Sequence, residues 1–171
     1  MRILLVTHYY ADHRGGVEII AGELARRLAG NDCSITWAAS GPEPEEAIGR
    51  VEYLPMRALN VTERLLGVPY PVWGPRSLAR LSEAARGCTL VHVHDSLYAG
   101  NLFAYLSARR RGTPVVVTQH IGLVPYRVRP LRWLMSAANR TVGRMVLSGA
   151  AQTVFYSRNA EDYFSRFVRF R

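Results

Sequence analysis

The sequence contains no lysine. All 22 of its basic residues are arginine, against 13 acidic residues, which gives a formal net charge of +9. The absence of lysine excludes a P-loop, GxxxxGK(S/T), and with it that way of holding a nucleotide. The arginine excess favours anionic partners, such as phosphate groups, acidic membrane lipids or nucleic acid.

Cysteine is nearly absent, and long apolar runs are missing. Cys33 and Cys88 are the two cysteines, and no CxxC pair occurs, which argues against a disulfide framework or a cysteine zinc site. No apolar run approaches the ~20 residues of a membrane-spanning helix. The opening MRILLVTHYY is too short for a signal peptide. The sequence predicts a cytoplasmic protein and leaves peripheral attachment to the inner face of a membrane open.

Short apolar strands alternate with helices along the whole chain. The opening RILLVT is typical of a strand buried on both faces, and the next segment places Val17, Ile20, Leu24 and Leu28 on one helical stripe. The other predicted strands cover residues 33–40, 51–56, 89–95, 114–120 and 151–157. The other predicted helices cover residues 76–87, 97–112, 130–149 and 158–167.

This alternation predicts an α/β fold with a Rossmann-like, doubly wound parallel sheet, formed by residues 1–171 as a single domain. Residues 58–75, ALNVTERLLGVPYPVWGP, hold three prolines and two glycines. They lack a clear periodicity, so we expect a mobile insertion there. The chain stops at FVRFR without a closing turn, from which we expect a second domain to follow.

Polar side chains gather where the predicted strands end. In open α/β sheets, ligands bind outside the carboxyl ends of the strands. The candidate site residues at these ends are His8, Tyr9, Asp12, His94, Asp95 and His120. His92 and His94 share one face of their strand, and with Asp95 they would suggest a metal site. Because no third ligand follows at a suitable spacing, we predict no metal.

The glycine pair Gly15-Gly16 precedes a predicted helix. Free backbone N–H groups and the helix dipole make such a mouth an anion site, and glycine lets a phosphate come close. A loop that needs one positive φ explains the pair equally well. Neither GxGxxG nor an acidic residue at the end of the second strand is present, which argues against dinucleotide binding. GxSxG is also absent, so no serine nucleophile elbow is indicated.

The stretch YRVRPLRWLM mixes arginine with aromatic side chains. Arg127, Arg129 and Arg132 alternate with Tyr126 and Trp133. Such a mixture suits an anionic membrane surface. It also suits a helix whose arginine stems cover apolar neighbours, and the sequence leaves both interpretations open.

Four segments in order resemble the retaining glycosyltransferases of family 4, or group 1, which have the GT-B fold. The first runs from a strand through Gly-Gly into a helix whose second residue is often Glu, here Glu18. LVHVHDS resembles the family's strand ending in His-x-His, PVVVTQHIG its strand with a terminal His, and AQTVFYS its last N-domain strand. Ala11 and Asp12 depart from the family pattern, which often has prolines at these positions.

The resemblance implies an N-terminal, acceptor-side domain, with the donor-binding C-terminal domain absent. It implies that the full enzyme moves a sugar from a nucleotide diphosphate sugar to the hydroxyl of a glycan, lipid or small molecule, without a cofactor or metal. Gly15 and Gly16 would then meet the donor diphosphate, and His120 would lie near the reacting sugar as the catalytic candidate. The acceptor would be bound by His8, Tyr9, Asp12, His94 and Asp95.

The resemblance also implies that this chain alone is inactive. We do not expect nucleic acid to be a partner. An anionic membrane surface remains a candidate partner. The alternative is a non-catalytic, flavodoxin-like module that binds a phosphorylated ligand at the Gly15-Gly16 helix mouth.

Overall fold

Six parallel strands form one sheet in the computed structural model, which describes residues 1–13, 15–45, 48–60, 70–126 and 128–170. These strands are β1 (Arg2–Tyr9), β2 (Ser34–Ser40), β3 (Val51–Met56), β6 (Leu90–His94), β7 (Val115–Gln119) and β8 (Gln152–Phe155). Two short strands, β4 (Ala58–Leu59) and β5 (Val72–Trp73), form a separate antiparallel pair.

The helices connect the strands on both faces of the sheet. They are α1 (Gly16–Ala29), α2 (Pro75–Gly87), α3 (Ala99–Arg110), α4 (Arg129–Ala138), α5 (Arg144–Gly149) and α6 (Arg158–Ser165). A π-helical turn, Asn139–Gly143, joins α4 to α5. Within the described part of the chain, no helix is long and apolar enough to cross a membrane.

The strand order is β3-β2-β1-β6-β7-β8, with every neighbouring pair parallel. The chain first builds outward from β1 to β3, then returns to the other side of β1 and builds outward again to β8. This is the order of a Rossmann-like sheet. The predicted doubly wound α/β fold is confirmed.

Each face of the sheet buries its own apolar core. On one face, Ile35 and Trp37 of β2 pack with Ala21 and Ala25 of α1. On the other, the side chains of β1, β6 and β7 pack with α2, α3 and α5 around Leu81. Because β1 lies in the middle of the sheet and is covered on both faces, all its residues after Arg2 are buried, as its unbroken apolar run predicts.

The expected mobile insertion over residues 58–75 lies partly outside the described residues, which omit 61–69. Its two flanks form the β4–β5 pair. Trp73 is buried, with 5% of its surface exposed, and its Nε1–H donates to Ser40 Oγ at 2.7 Å. At least the end of this segment is therefore anchored to the core, because an apolar ring covers the sheet there.

A substitution of Gly100, in the first turn of α3, tests this packing. A Cβ at Gly100 would lie 2.5 Å from the Trp73 ring, whereas one at Gly87, the last residue of α2, would lie 4.0 Å from its nearest neighbour. We expect Gly100→Ala to lower the free energy of unfolding by about 1–3 kcal/mol through overpacking. Gly87→Ala is the control and should leave it unchanged or raise it. Equal urea midpoints for the two variants would contradict the packing.

Candidate active site

The strand order reverses between β1 and β6, and in open α/β sheets such a reversal forms a crevice at the carboxyl edge. β1 continues to β2 on one side, whereas β6 lies on its other side and continues to β7. Such a switch point is where open α/β sheets bind their ligands. The ends of β1 and β6 carry His8 and His94, and His120 follows β7 directly.

The mouth of α1 faces the end of β1. Gly15 precedes the helix with φ −79° and ψ 154°, and Gly16 is its first residue. Neither glycine has a positive φ, so the interpretation of the pair as a left-handed turn is wrong. A Cβ at Gly16 would have nothing within 4 Å, whereas one at Gly15 would collide with the carboxylate of Glu18.

Glu18 curls back over Gly15 and fills part of the helix mouth. Its carboxylate lies 2.8 Å from His8 Nε2, and both side chains are buried. Burial is the largest influence and raises the pKa of Glu18, but the hydrogen bond with His8, together with a backbone hydrogen bond and nearby histidines, more than offsets it and leaves the pKa below its ordinary value. The carboxylate therefore stays ionised. It interacts favourably with the positive end of the α1 dipole, as an acidic residue at the third helical position does.

Aromatic rings cover this Glu18–His8 contact. The His8 ring stacks on Tyr98, with centroids 4.1 Å apart and planes at 6°. Tyr9 stacks on His13 in the same way, at 4.0 Å and 7°. These contacts shield His8 and Tyr9, each of which has 6% of its surface exposed.

The ends of β6 and β7 share a buried polar network. Asp95 accepts hydrogen bonds from Gln119 Nε2 and from the backbone N–H of His120, both at 2.9 Å. His94 Nδ1 lies 2.9 Å from His120 Nε2, and the amide of Asn101 donates to the backbone carbonyls of His94 and Asp95. Asp95 adopts a positive φ of 66°, which aspartate tolerates better than most residues. This turn aims its carboxylate back at β7.

Burial dominates the protonation of this network. It raises the pKa of Asp95 to about 6, against the opposing effect of the hydrogen bond from His120. It lowers the pKa of His92 and of His120 to about 4, and that of His94 well below its ordinary range. The histidines are therefore neutral near pH 7 and act as hydrogen-bonding groups.

The structure brings most predicted site residues to this edge but buries many of them. His8, Tyr9, His94 and Asp95 have 6% or less of their surface exposed, so they offer little surface for a direct acceptor contact. Asp12 and Gly16 are exposed, and His120 is partly exposed. His92, suggested as a metal ligand, instead lies 2.8 Å from Thr118 Oγ1. Among the described residues, no group of three suitable side chains could hold a metal ion.

Three residues of this edge were not predicted as site residues. Glu18 could have been found from its place three residues after the N-cap glycine. Gln119 carried the same signal as the chosen candidates, since it is a polar residue at a strand end, but its contact with Asp95 was not predictable. Tyr98 gave no signal, because its role depends on a contact with His8 that a single sequence does not show.

The model of Glycosyltransferase Family 4 matches residues 14–171. HepE of Anabaena, in complex with UDP and glucose, superposes with a TM-score of 0.67 and 14% identity, covering 99% of this chain and 42% of HepE. MurG of Acinetobacter baumannii superposes with a TM-score of 0.53 and 16% identity, covering 93% of this chain and 42% of MurG. The chain thus spans less than half the length of these two proteins. At this level of identity, the similarity shows a shared fold. No curated protein matches the sequence.

The raised pKa of Asp95 predicts a pH-dependent effect of Asp95→Asn. The folded state holds the proton up to about pH 6 and the unfolded state only to about pH 4, so ionised Asp95 destabilises the fold above pH 6. Asparagine keeps the acceptor oxygen and tolerates positive φ. We expect Asp95→Asn to stabilise the protein by up to about 3 kcal/mol at pH 7 and negligibly below pH 4.

The comparison of each variant with the native chain at both pH values cancels the histidine contributions. Asp32→Asn is the matched control, since Asp32 also has a positive φ, 59°, but an exposed side chain. Its effect should be small and equal at the two pH values. A pH-independent effect of Asp95→Asn in urea unfolding would contradict the burial of an ionising carboxyl.

Proposed function

The chain belongs to glycosyltransferase family 4, and from this premise we propose that it forms the acceptor-side domain of a retaining enzyme. That enzyme would transfer a sugar from a nucleotide diphosphate sugar to an acceptor hydroxyl. One observation carries the proposal: the crevice at the switch point of a family-4 domain combines an open helix mouth at Gly16 with a partly exposed histidine, His120.

The remaining part of such an enzyme would hold the nucleotide. HepE is described in complex with UDP and glucose, and this chain covers 42% of it. We therefore propose that a donor-binding C-terminal domain faces this crevice and that the chain alone does not turn over a nucleotide sugar. The acceptor, whether glycan, lipid or small molecule, would enter from the side of Asp12, the exposed carboxylate of the first loop.

The helix mouth would stabilise the leaving diphosphate. Negative charge grows on the diphosphate as the sugar departs, and preorganised N–H groups at a helix N-terminus are suited to stabilise it. Glu18 already covers the Gly15 side of the mouth, so the phosphate would approach from the Gly16 side, where the structure leaves space. His120 would lie beside the reacting sugar as a neutral positioning group.

Gly16→Val in the full-length enzyme separates this role from stability. A Cβ at Gly16 meets nothing within 4 Å in the folded chain, and the residue is exposed, so the free energy of unfolding should change by about 1 kcal/mol or less in Gly16→Val. The same side chain would occupy the space of the phosphate, so kcat/KM for the donor should fall about 10²- to 10³-fold. The measurement pairs thermal unfolding with a radiolabelled-donor assay.

Gly87→Val is the matched control, because Gly87 ends α2 near Arg2 at the opposite edge of the sheet. It should retain the transfer rate of the native enzyme. If Gly16→Val both melts and transfers like the native enzyme, the helix mouth is not the diphosphate site. If no nucleotide sugar is turned over while a phosphorylated ligand binds at Gly16, the non-catalytic, flavodoxin-like alternative holds.

A second proposal concerns α4, which carries an exposed apolar stripe beside exposed arginines. Trp133 and Leu134 have 76% and 63% of their surfaces exposed, and no residue of α4 is fully buried. Arg129 and Arg132 lie next to this stripe and are exposed as well. Arg127, which the sequence grouped with them, lies outside the described residues.

We propose that the outer face of α4 attaches the protein peripherally to an anionic membrane. The stripe offers an apolar surface that an acyl boundary can take up, and the net charge of +9 favours an anionic leaflet. An exposed tryptophan beside arginine is the side-chain combination expected at such a boundary. A lipid-linked acceptor would then reach the crevice from the same surface.

Vesicle co-sedimentation tests the attachment. We expect the protein to bind vesicles that contain anionic lipid and to be released at high salt. The double variant Arg129→Gln/Arg132→Gln should lose about 1 kcal/mol of binding free energy for each arginine removed. Trp133→Ser should weaken binding further. The control Arg76→Gln/Arg80→Gln removes the same charge from α2 and should bind like the native chain. Equal binding to neutral and anionic vesicles would rule the surface out.

A further inference from the structure

The two histidines that end β6 and follow β7 share one hydrogen bond. His94 Nδ1 and His120 Nε2 lie 2.9 Å apart, although the residues are 26 positions apart in sequence. His94 has no exposed surface, whereas His120 is partly exposed. The buried ring therefore sits behind the ring that faces the crevice, and it engages one of the two nitrogens of that ring.

A single proton lies between these nitrogens. Burial lowers the pKa of His120 to about 4 and that of His94 well below its ordinary range, so each neutral ring carries one N–H. If His94 donates, its proton is on Nδ1, and His120 must carry its own proton on Nδ1. If His120 donates, its proton is on Nε2, and His94 must carry its own on Nε2.

The surroundings of His94 distinguish these two arrangements. Its Nε2 is buried and has no hydrogen-bond partner among the described residues. The neighbouring His92 does not supply one, since its Nε2 lies against Thr118 Oγ1 at 2.8 Å. A proton on His94 Nε2 would be a buried N–H donor without an acceptor, and such orphaned donors are rarer in proteins than under-satisfied acceptors.

Backbone hydrogen bonds hold His94 in position to bond to His120. Asn101 in α3 donates from its side-chain amide to the carbonyl oxygens of His94 and Asp95. Asp95 in turn accepts from the backbone N–H of His120 at 2.9 Å. The two rings are therefore attached to segments that are themselves bonded together, which keeps their mutual geometry independent of a ligand.

We propose that His94 is a positioning residue: it donates from Nδ1 to His120 Nε2 and thereby holds His120 as the neutral Nδ1–H tautomer. His120 then presents a hydrogen-bond donor to an oxygen of the transferred sugar or the acceptor. This assignment of a ligand rests on the proposed function. With Nε2 already accepting and Nδ1 protonated, the ring has no vacant lone pair and does not serve as a general base.

Nuclear magnetic resonance of the histidine side chains reads the tautomers directly. In the ¹⁵N-histidine-labelled chain near pH 7, long-range ¹H–¹⁵N spectra should show that Nδ1 is protonated and Nε2 is unprotonated in both His94 and His120. Substitution of each histidine in turn assigns the signals. The reverse pattern, with Nε2 protonated in both rings, or a doubly protonated His120, would overturn the proposal.

Three variants test whether His94 causes this tautomer. His94→Phe removes the donor, and His120 should shift toward a mixture of tautomers. His94→Asn places an amide N–H near the position of Nδ1 and should restore the Nδ1–H form. His92→Phe, the matched control, removes another buried ring, which is bonded to Thr118, and should leave the His120 tautomer unchanged. A His120 tautomer that is the same in all three variants contradicts the role of His94.

The spectra need no substrate, so they separate this inference from the proposed function. The expected tautomers in a protein that transfers no sugar would support the positioning by His94 and reject the transfer. Sugar transfer by an enzyme in which His120 carries its proton on Nε2 would support the proposed function and reject the positioning by His94. If His94→Phe does not fold, the spectra of the native chain alone still decide between the two arrangements.

Discussion

The reversal of strand order between β1 and β6 is the constraint on which the site depends. Parallel strands place all their carboxyl ends at one edge, and the reversal sends the following connections to opposite sides of the sheet, so a crevice stays open between them. The mouth of α1 and the end of β7 both face this crevice. Residues far apart in sequence, such as Glu18 and His120, thus come near enough to interact electrostatically.

The edge of the sheet is polar and yet largely buried, and this combination determines its chemistry. A buried charge is costly unless it is paired. The edge pairs the Glu18 carboxylate with the His8 ring and keeps His92, His94 and His120 neutral near pH 7. Neutral imidazoles can fix the directions of hydrogen bonds without the cost of a buried, unpaired charge. The aromatic covers, Tyr98 over His8 and Tyr9 on His13, exclude water from the pair.

The sequence predicted the elements well, because the signals are local. β3 was expected at residues 51–56 and is found there, and the long helix expected at 130–149 runs from Arg129 to Gly149 through a π turn. The gathering of polar side chains at one edge of the sheet also followed, because these residues end parallel strands. The burial of His94 did not follow, because it depends on β6 lying between β1 and β7. Nor did the contact of Glu18 with His8, which needs the angle between α1 and β1.

The most direct test of the whole account is a crystal structure of the full-length enzyme with a bound nucleotide diphosphate sugar. The account predicts a phosphate oxygen at about 3 Å from a backbone N–H at the Gly16 side of the helix mouth, a hydrogen-bond distance. It also predicts that His120 Nδ1 lies within hydrogen-bond distance of a sugar or acceptor oxygen, with Glu18 still bonded to His8. A diphosphate bound away from α1, with the crevice between β1 and β6 empty, would contradict it.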